Sequence, residues 1–263
     1  YNPLILEIRN NPKWQAARMV ILEELKSYAD ADGNFLEQFQ TTGFDQRLWE
    51  LYLNSYFREE GFKISKYSDI DFVLEKSSHI LGVEAVTVAC KTLSVCSFPS
   101  QISKGLYSKI FLEYSSALTT KLKKRYWNKK YIKNKPLLLA IENFSDSFEL
   151  IGGINVLCDY LYGIEPDSSR KTFKVHKGEN VRKPNGATVE TGFFNLPEAE
   201  NISAIISTSQ GTLSKFNRIG IYKGYAPRDI RCLQFTAEYN RAPDATLPKP
   251  VVRIVSPGEN AET

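Results

Sequence analysis

The stretch that decides the fold is Tyr67 to Lys91, which reads YSDIDFVLEKSSHILGVEAVTVACK. Within it, two short apolar runs, Ile70 to Leu74 and Ile80 to Ala89, are separated by the polar residues Lys76 to Ser78. Two such runs on either side of a polar turn are typical of a β-hairpin, here with a connection of about three to five residues. The sequence therefore predicts two neighbouring antiparallel strands.

Each strand of this hairpin carries one acidic residue among apolar neighbours. Asp71 stands where the first strand begins, and Glu84 stands inside the second, between Val83 and Ala85. An ionised carboxylate in such a strand costs several kcal/mol to bury unless a cation or strong donors meet it. Because antiparallel pairing brings the start of one strand beside the end of the other, we expect Asp71 and Glu84 to converge.

Two converging carboxylates repel each other unless a divalent cation lies between them. Ligation by oxygen atoms with room for water suits Mg²⁺ or Mn²⁺, so the pattern favours a metal site. Two alternatives remain open. Asp71 can be an ordinary residue of a turn or a strand start, and Glu84 can face solvent at the edge of a sheet.

The composition is that of an ordinary globular protein. The chain has 263 residues, 42% hydrophobic and 24% charged, so it can bury a substantial core as one large domain or as a core with an attached lobe. Its four cysteines form no C-x-x-C pair and it has two histidines, which argues against zinc and indicates free thiols in a reducing cytoplasm. No apolar run reaches the ~18 residues of a membrane span, so we expect a cytoplasmic protein with no membrane partner.

Apolar periodicity and turn residues predict the elements around the hairpin. They are a packing helix beginning near Trp14, a helix capped by Asp45 and ending at Gly61, a strand from Phe62 to Lys66, a helix from Lys104 to about Trp127, a buried parallel strand from Leu137 to Ile141, and a helix from about Ser147 to Tyr162. Glu50 lies on the second of these helices, where an exposed acid is the simplest interpretation.

The remainder of the chain is predicted to be richer in strands. Residues 165–190 are polar and contain several turn residues, which indicates a long loop. Strands are predicted at Val189 to Phe194, Ile202 to Ser207 and Arg218 to Tyr222, followed by an edge strand in the closing proline-rich stretch. The predicted segments are 1–42, an N-terminal helical extension, 43–164, the core, and 165–263, a polar insertion with a β-rich C-terminal extension.

A basic run follows the helix that begins at Lys104. Between Lys121 and Lys135 there are eight Lys or Arg and no Asp or Glu, interleaved with Tyr126, Trp127 and Tyr131. Such a run suits a phosphate backbone and exposed bases, and cations at the C-terminus of a solvated helix explain it equally well. The candidate nucleic-acid-binding residues are Lys121, Lys123, Lys124, Arg125, Lys129, Lys130 and Arg218.

The order helix, strand, strand, strand, helix, strand between Asp45 and Ile141 resembles the αβββαβ core of the PD-(D/E)XK superfamily, the restriction-endonuclease-like nucleases. The matching motifs are Ile70-Asp71-Phe72 and Glu84-Ala85-Val86, whose acids lie 84 − 71 = 13 positions apart. The local sequence also resembles a poorly characterised bacterial branch of that superfamily, in the stretches Phe44 to Leu53, Val83 to Thr87, Leu196 to Ala204 and Lys215 to Arg218.

The resemblance implies an α/β fold and metal-dependent hydrolysis of a phosphodiester bond, usually in DNA. Asp71 and Glu84 would hold one or two Mg²⁺ (or Mn²⁺) ions, with the carbonyl of Ala85 and the first-helix acid Glu50 as further ligands. The ion would lower the pKa of a bound water and polarise the phosphoryl oxygen.

The chain departs from the family pattern at two positions. Ile70 replaces the proline before the aspartate, a change that affects only the entry to the strand. Val86 stands where the catalytic lysine is expected, two residues after Glu84 on the same strand face. We therefore expect a lysine from the following helix to reach the site, with Lys121 and Lys124 as candidates and Lys121 preferred; a solvent-facing Lys121 is the alternative.

Taken together, these patterns predict a Mg²⁺-dependent DNA endonuclease, an effector in restriction or phage defence. A catalytically inactive nuclease-fold module that binds nucleic acid or assembles with a partner protein is the alternative. A nuclease acting on RNA is a third interpretation. A duplex cutter with one site per chain needs two chains or two binding events, which favours a homodimer.

Overall fold

The computed structural model describes residues 1–88, 104–144, 153–167, 172–175, 180–182, 188–208, 210–227, 232–238 and 249–255. Its contacts divide the chain into two compact units. The first unit combines Tyr1–Ser55 with Gln210–Thr263, and the second is Tyr56–Ser209. This grouping differs from the three segments predicted from sequence, because the two ends of the chain fall in one unit.

Seven helices and eleven strands lie within the described residues. The α-helices are α1 (Pro3–Asn10), α2 (Gln15–Ser27), α3 (Phe35–Gln40), α4 (Phe44–Glu59), α5 (Lys104–Lys123), α6 (Gly153–Tyr162) and α7 (Leu213–Tyr222). The strands are β1 (Lys63–Tyr67), β2 (Ile70–Lys76), β3 (His79–Val88), β4 (Leu137–Asn143), β5 (Ile164–Asp167), β6 (Thr172–Val175), β7 (Asn180–Arg182), β8 (Thr188–Glu190), β9 (Ala204–Thr208), β10 (Cys232–Glu238) and β11 (Lys249–Val255). Short 3₁₀ turns occur at Pro12–Trp14, Tyr126–Asn128, Phe193–Asn195 and Ala199–Asn201.

The second unit is built on a mixed five-stranded sheet with the order β1-β2-β3-β4-β9. β1, β2 and β3 pair antiparallel, and β4 pairs parallel with both β3 and β9. The α/β class is confirmed, and the elements from α4 to β4 follow the predicted order of helix, three strands, helix and strand. β4 is buried along nearly its whole length, as its continuous apolar sequence predicts for a parallel strand.

The β2–β3 hairpin turns more tightly than predicted. Lys76 pairs with His79, so the connection has only the two residues Ser77 and Ser78. Both have positive φ angles, 49° and 66°, which is the signature of a type I′ turn. This turn matches the twist of the flanking strands, and it lets β3 begin at His79, one residue earlier than predicted.

Helix α5 packs its apolar face on the sheet. Ile110, Tyr114, Leu118 and Leu122 are buried at helical spacing and belong to one hydrophobic cluster with residues of β3 and β4. The helix ends at Lys123 rather than near Trp127, because Arg125 adopts a left-handed conformation with φ 49° and a 3₁₀ turn follows it.

Two further sequence predictions are corrected between residues 165 and 194. The helix predicted from about Ser147 to Tyr162 is described as α6 from Gly153 onward, and 147–152 lie outside the described residues. The predicted loop 165–190 contains short strands, which form the pairs β5–β6 and β7–β8. The predicted strand Val189 to Phe194 is reduced to β8, because Gly192 with φ 80° leads into a 3₁₀ turn.

In the first unit, the stretch predicted as the strand Arg218 to Tyr222 is part of helix α7. The Thr212 hydroxyl oxygen caps the helix by accepting a hydrogen bond from the Lys215 N–H. The buried residues of α7 are Leu213, Phe216, Gly220 and Ile221, a spacing of three, four and one that forms a single helical face.

Two smaller differences concern α4 and the closing strand. α4 begins at Phe44, so Asp45 lies in its first turn rather than before it. The predicted closing strand corresponds to β11, which pairs antiparallel with β10. Within the described ranges, no helix has both the length and the apolar character that crossing a membrane requires.

Helices α2 and α7 approach each other closely at Gly220. A Cβ atom at this position would lie 2.3 Å from the carbonyl oxygen of Ala16, which is part of the backbone of α2. The same contact region contains a hydrogen bond in which the Ala17 N–H donates to the Asn217 side-chain oxygen at 3.1 Å. The absence of a side chain at residue 220 therefore sets the distance between the two helices.

We predict that Gly220→Ala lowers the free energy of unfolding by about 1–3 kcal/mol, because the added methyl group overpacks the contact with Ala16. At an unconstrained helical site the same change raises the free energy of unfolding by about 1 kcal/mol. The direction of the change therefore shows whether the contact with Ala16 is tight. Urea denaturation measures the effect, with Ser214→Ala at an exposed position of the same helix as the control. A stabilised Gly220→Ala protein would contradict the close approach.

Candidate active site

Asp71 and Glu84 face each other across the β2–β3 ladder. Asp71 is the second residue of β2, and Glu84 lies in β3 directly beyond the Phe72–Val83 pair. Because directly opposite residues of antiparallel strands share one face of the sheet, both acids lie on the same side. The two strands bring the carboxylates together in the way that the hairpin predicts.

Each acid is also bound to the backbone of the other strand. The Ala85 N–H donates to Oδ2 of Asp71 at 2.8 Å, and the Asp71 N–H donates to Oε2 of Glu84 at 3.3 Å. These reciprocal hydrogen bonds take the place of regular ladder bonds where the β2–β3 pairing ends. They fix the orientation of both carboxylates relative to the strands.

Glu84 is buried and has a dense set of donors. Its side chain is 6% exposed, and its Oε1 accepts from the Lys121 ammonium at 2.6 Å and from the Tyr126 hydroxyl at 2.6 Å. With the Asp71 N–H on Oε2, three donors satisfy this carboxylate. An ammonium group and two neutral donors thus meet the burial cost that the sequence places at Glu84.

Lys121 reaches Glu84 from helix α5. Val86, at the position where the family pattern has its lysine, is 1% exposed and belongs to the core cluster. Leu118 and Leu122 anchor the end of α5 in the same cluster, and Lys121 lies between them with a side chain that is 18% exposed. A cation therefore stands beside Glu84, although it comes from a different element.

Tyr126 is a site residue that the sequence interpretation did not assign to the acid pair. The left-handed Arg125 turns the chain after α5, and Tyr126 is then buried with its hydroxyl on Glu84. Burial, followed by the negative charges of Glu84 and Asp71, raises the pKa of this phenol far above its usual value. Tyr126 consequently stays protonated and acts as a permanent donor to Glu84.

The carboxylate and carbonyl oxygen atoms around Asp71 and Glu84 are of the kind that Mg²⁺ binds. The Ala85 N–H points to Asp71, and the carbonyl of the same strand residue points to the same side, beyond the last β2–β3 pair. No group of three or more His, Cys, Asp or Glu side chains comes together in the described part of the chain. Mg²⁺ commonly uses one or two carboxylates and keeps several waters, so two acids and a carbonyl are a sufficient protein contribution.

Glu50 is held by residues of the first unit. It is 1% exposed, and its carboxylate accepts from the Arg47 guanidinium at 2.7 Å, the Tyr28 hydroxyl at 2.7 Å and the Gln46 amide at 3.0 Å. The interpretation of Glu50 as an exposed acid is therefore wrong. These three donors occupy three of the roughly four acceptor sites of the carboxylate, and the role of Glu50 as a metal ligand stays a prediction.

The predicted nucleic-acid-binding residues divide into three groups. Arg125 forms an ion pair with Glu198 at 2.8 Å and Lys129 with Asp69 at 2.6 Å, so both have structural partners. Lys123, Lys124 and Lys130 are exposed on the segment around Tyr126. Arg218 lies on α7 in the first unit, beside Lys215, whose pKa is lowered by burial and by the Arg218 charge.

We predict that Tyr126→Phe lowers the free energy of unfolding by about 1.5–3 kcal/mol, the usual effect of removing a hydrogen bond to a charged group. The matched control is Tyr131→Phe, because the buried Tyr131 hydroxyl has no hydrogen-bond partner within the described residues. That control is expected to change stability by less than about 0.5 kcal/mol or to raise it. Equal effects of the two changes in urea denaturation would argue against the bond to Glu84.

The site is thus defined by its own geometry: an acid pair across two strands, a lysine from α5 and a tyrosine from the turn that follows. Comparisons with protein-family models, with curated proteins and with solved structures find no match for this chain. The resemblance to the PD-(D/E)XK superfamily stays a prediction, and the function is inferred from the residues of the site.

Proposed function

We propose that this protein is a Mg²⁺-dependent nuclease that hydrolyses phosphodiester bonds in DNA. The observation that carries the proposal is the cross-strand pair of Asp71 and Glu84 with the Lys121 ammonium 2.6 Å from Glu84. Paired carboxylates supply hard oxygen ligands, and a nearby ammonium supplies positive charge for a phosphate. The order of elements from α4 to β4, together with the sequence resemblance, supports the same assignment.

Asp71, Glu84 and the carbonyl of Ala85 are the groups that would hold the ion. When bound, Mg²⁺ supplies polarisation of a phosphoryl oxygen and a lowered pKa of a coordinated water. The chain itself orients the two carboxylates, through the Ala85 N–H on Asp71 and the Tyr126 hydroxyl on Glu84. Because these donors already hold the carboxylates in place, the carboxylates do not have to reorient during the reaction.

In this proposal Lys121 stabilises negative charge on the phosphate. Its ammonium is partly accessible and lies on the same side of the sheet as the acid pair. Negative charge that develops on the phosphate oxygens would be stabilised by this cation in a partly dehydrated site. Tyr126 has the role of a positioning residue, since it stays protonated and holds Oε1 of Glu84.

The exposed lysines favour a polyanionic substrate. Lys123, Lys124 and Lys130 stand close in sequence to Tyr126, and none of them is buried. Contacts between such lysines and phosphates release counterions and give binding that weakens with salt. DNA is the substrate that the family resemblance implies, and RNA offers the same phosphates. A role in restriction or phage defence, in the cytoplasm and as a homodimer, belongs to the same proposal.

One observation favours the alternative of a nucleic-acid-binding module without catalysis. Oε1 of Glu84 already accepts two short hydrogen bonds, and Val86 occupies the usual lysine position. An ion pair of this kind can serve stability alone. Under this alternative the protein binds DNA but does not cleave it, whether Mg²⁺ or Mn²⁺ is present.

We predict that the protein nicks plasmid DNA with Mg²⁺ or Mn²⁺ and loses this activity in EDTA. Asp71→Asn, Glu84→Gln and Lys121→Met are each expected to lower the cleavage rate by about 100-fold or more, the usual effect of removing a stabilising group. Glu75→Gln and Lys63→Met, at exposed positions of β2 and β1, are the matched controls and should cleave like the unchanged protein.

Supercoiled, linear and single-stranded DNA are incubated in parallel, and binding is followed in EDTA. Retained binding with lost cleavage in the three site variants supports the nuclease assignment. Cleavage that persists in EDTA or in Glu84→Gln would overturn it. Binding without cleavage in either metal by the unchanged protein would establish the alternative.

A further inference from the structure

The segment that follows α5 contacts the β1–β2–β3 region at several points besides Glu84. The Lys129 ammonium lies 2.6 Å from Asp69 in the β1–β2 turn. The ring of Tyr131 stacks on the ring of Tyr67, the last residue of β1. Ile132 packs beside Gly82 of β3. The residues from Tyr126 to Ile132 therefore form a continuous border along one side of the acid pair.

The two stacked tyrosine rings form a flat surface. Their ring centroids are 4.0 Å apart and their planes differ by 7°. Tyr131 packs against the core cluster, whereas Tyr67 is 39% exposed. Since one face of the Tyr67 ring is covered by Tyr131, its exposed area belongs to the other face and the edges. An aromatic ring that is held from behind in this way loses little freedom when another ring stacks on it.

This surface lies next to the candidate active site. Tyr67 pairs with Ile70 in the β1–β2 ladder, and Asp71 is the next residue along β2. Strand spacing and rise place the backbones of Tyr67 and Asp71 roughly 5–7 Å apart. Tyr131 packs on the cluster that contains Val86 and Tyr126, so the stack lies on the sheet face that carries Glu84.

The charges around the stack suit a nucleic-acid strand. Lys130 and Lys133 are exposed and flank Tyr131 in sequence. The acid nearest to the stack in sequence, Asp69, is offset by Lys129. An exposed aromatic face between cations is the arrangement with which proteins bind unpaired bases and their phosphates.

We infer that the outer face of Tyr67 stacks with a nucleobase adjacent to the phosphate that is cleaved. In a regular duplex both faces of a base are covered by its neighbours, so this contact needs an unpaired or extruded base. The substrate class is therefore a single strand, or a duplex that is opened locally at the cut. This inference rests on the proposed function for the position of the phosphate, and the stacking contact itself can be tested without cleavage.

The test measures binding in EDTA at one fixed salt concentration by fluorescence anisotropy. The ligands are a labelled single-stranded oligodeoxynucleotide of about 16 nucleotides, the duplex of the same sequence, and the matching RNA strand. Tyr67→Leu is expected to weaken single-strand binding about 5- to 100-fold, the loss of one base–aromatic stack. Tyr67→Phe keeps the ring and should bind like the unchanged protein, and thermal unfolding verifies that both variants are folded.

A second measurement changes the oligonucleotide and begins with the unchanged protein. Single abasic positions are moved along the oligonucleotide, and the unchanged protein is expected to lose affinity at one or two of them. Tyr67→Leu should show no further loss at those positions, because the same contact is already absent. A flat abasic scan, or equal affinities of Tyr67→Leu and the unchanged protein, would overturn the inference.

The outcomes separate this inference from the proposed function. If the protein cleaves DNA but the abasic scan is flat, the proposed nuclease activity stands and the proposed stacking contact is rejected. If the scan depends on position but no cleavage occurs, the stacking contact stands and the nuclease activity is rejected. Tighter binding of the RNA strand than of the DNA strand keeps the unpaired-base contact and assigns the site to RNA.

Discussion

The structure of the second unit depends on how the buried charge of Glu84 is compensated. A carboxylate that is 4% exposed within an apolar strand would destabilise the fold by several kcal/mol if it were unpaired. Its partners come from three places: the backbone of β2, the end of α5 and the turn after it. The compensation of one charge therefore joins the β2–β3 hairpin to the end of α5 and to the turn that follows it.

The same arrangement explains which parts of the site the sequence could predict. Asp71 and Glu84 lie on consecutive strands, and a hairpin leaves little freedom in how such residues meet, so their convergence follows from the pattern alone. Tyr126 lies 42 positions from Glu84 and faces it only because Arg125 adopts a left-handed conformation. An arginine carries no strong preference for that conformation, which is why helix periodicity extends past the true end of α5.

The errors in the fold prediction have similar physical origins. The segment Arg218 to Tyr222 contains a short apolar run that fits a strand, and the correct periodicity appears only when Leu213 and Phe216 are included and Thr212 is recognised as the cap. The Ser77–Ser78 turn was predicted too long because serine rarely adopts positive φ. By contrast, β4 is buried on both faces, and its short continuous apolar run predicted such a strand correctly.

A purely structural role of the Glu84–Lys121 pair does not account for Asp71. One ammonium beside one buried carboxylate is a neutral arrangement, and Asp71 places a second carboxylate beside it on the adjacent strand. The Ala85 N–H fixes that second acid in place, which costs a ladder bond between the strands. Two carboxylates held side by side are the arrangement that the proposed cation site requires, and the exposed ring of Tyr67 lies close to Asp71 along the β1–β2 ladder. In the proposed function, metal ligation by Asp71 and base stacking on Tyr67 would use the same short stretch, from the end of β1 to the start of β2.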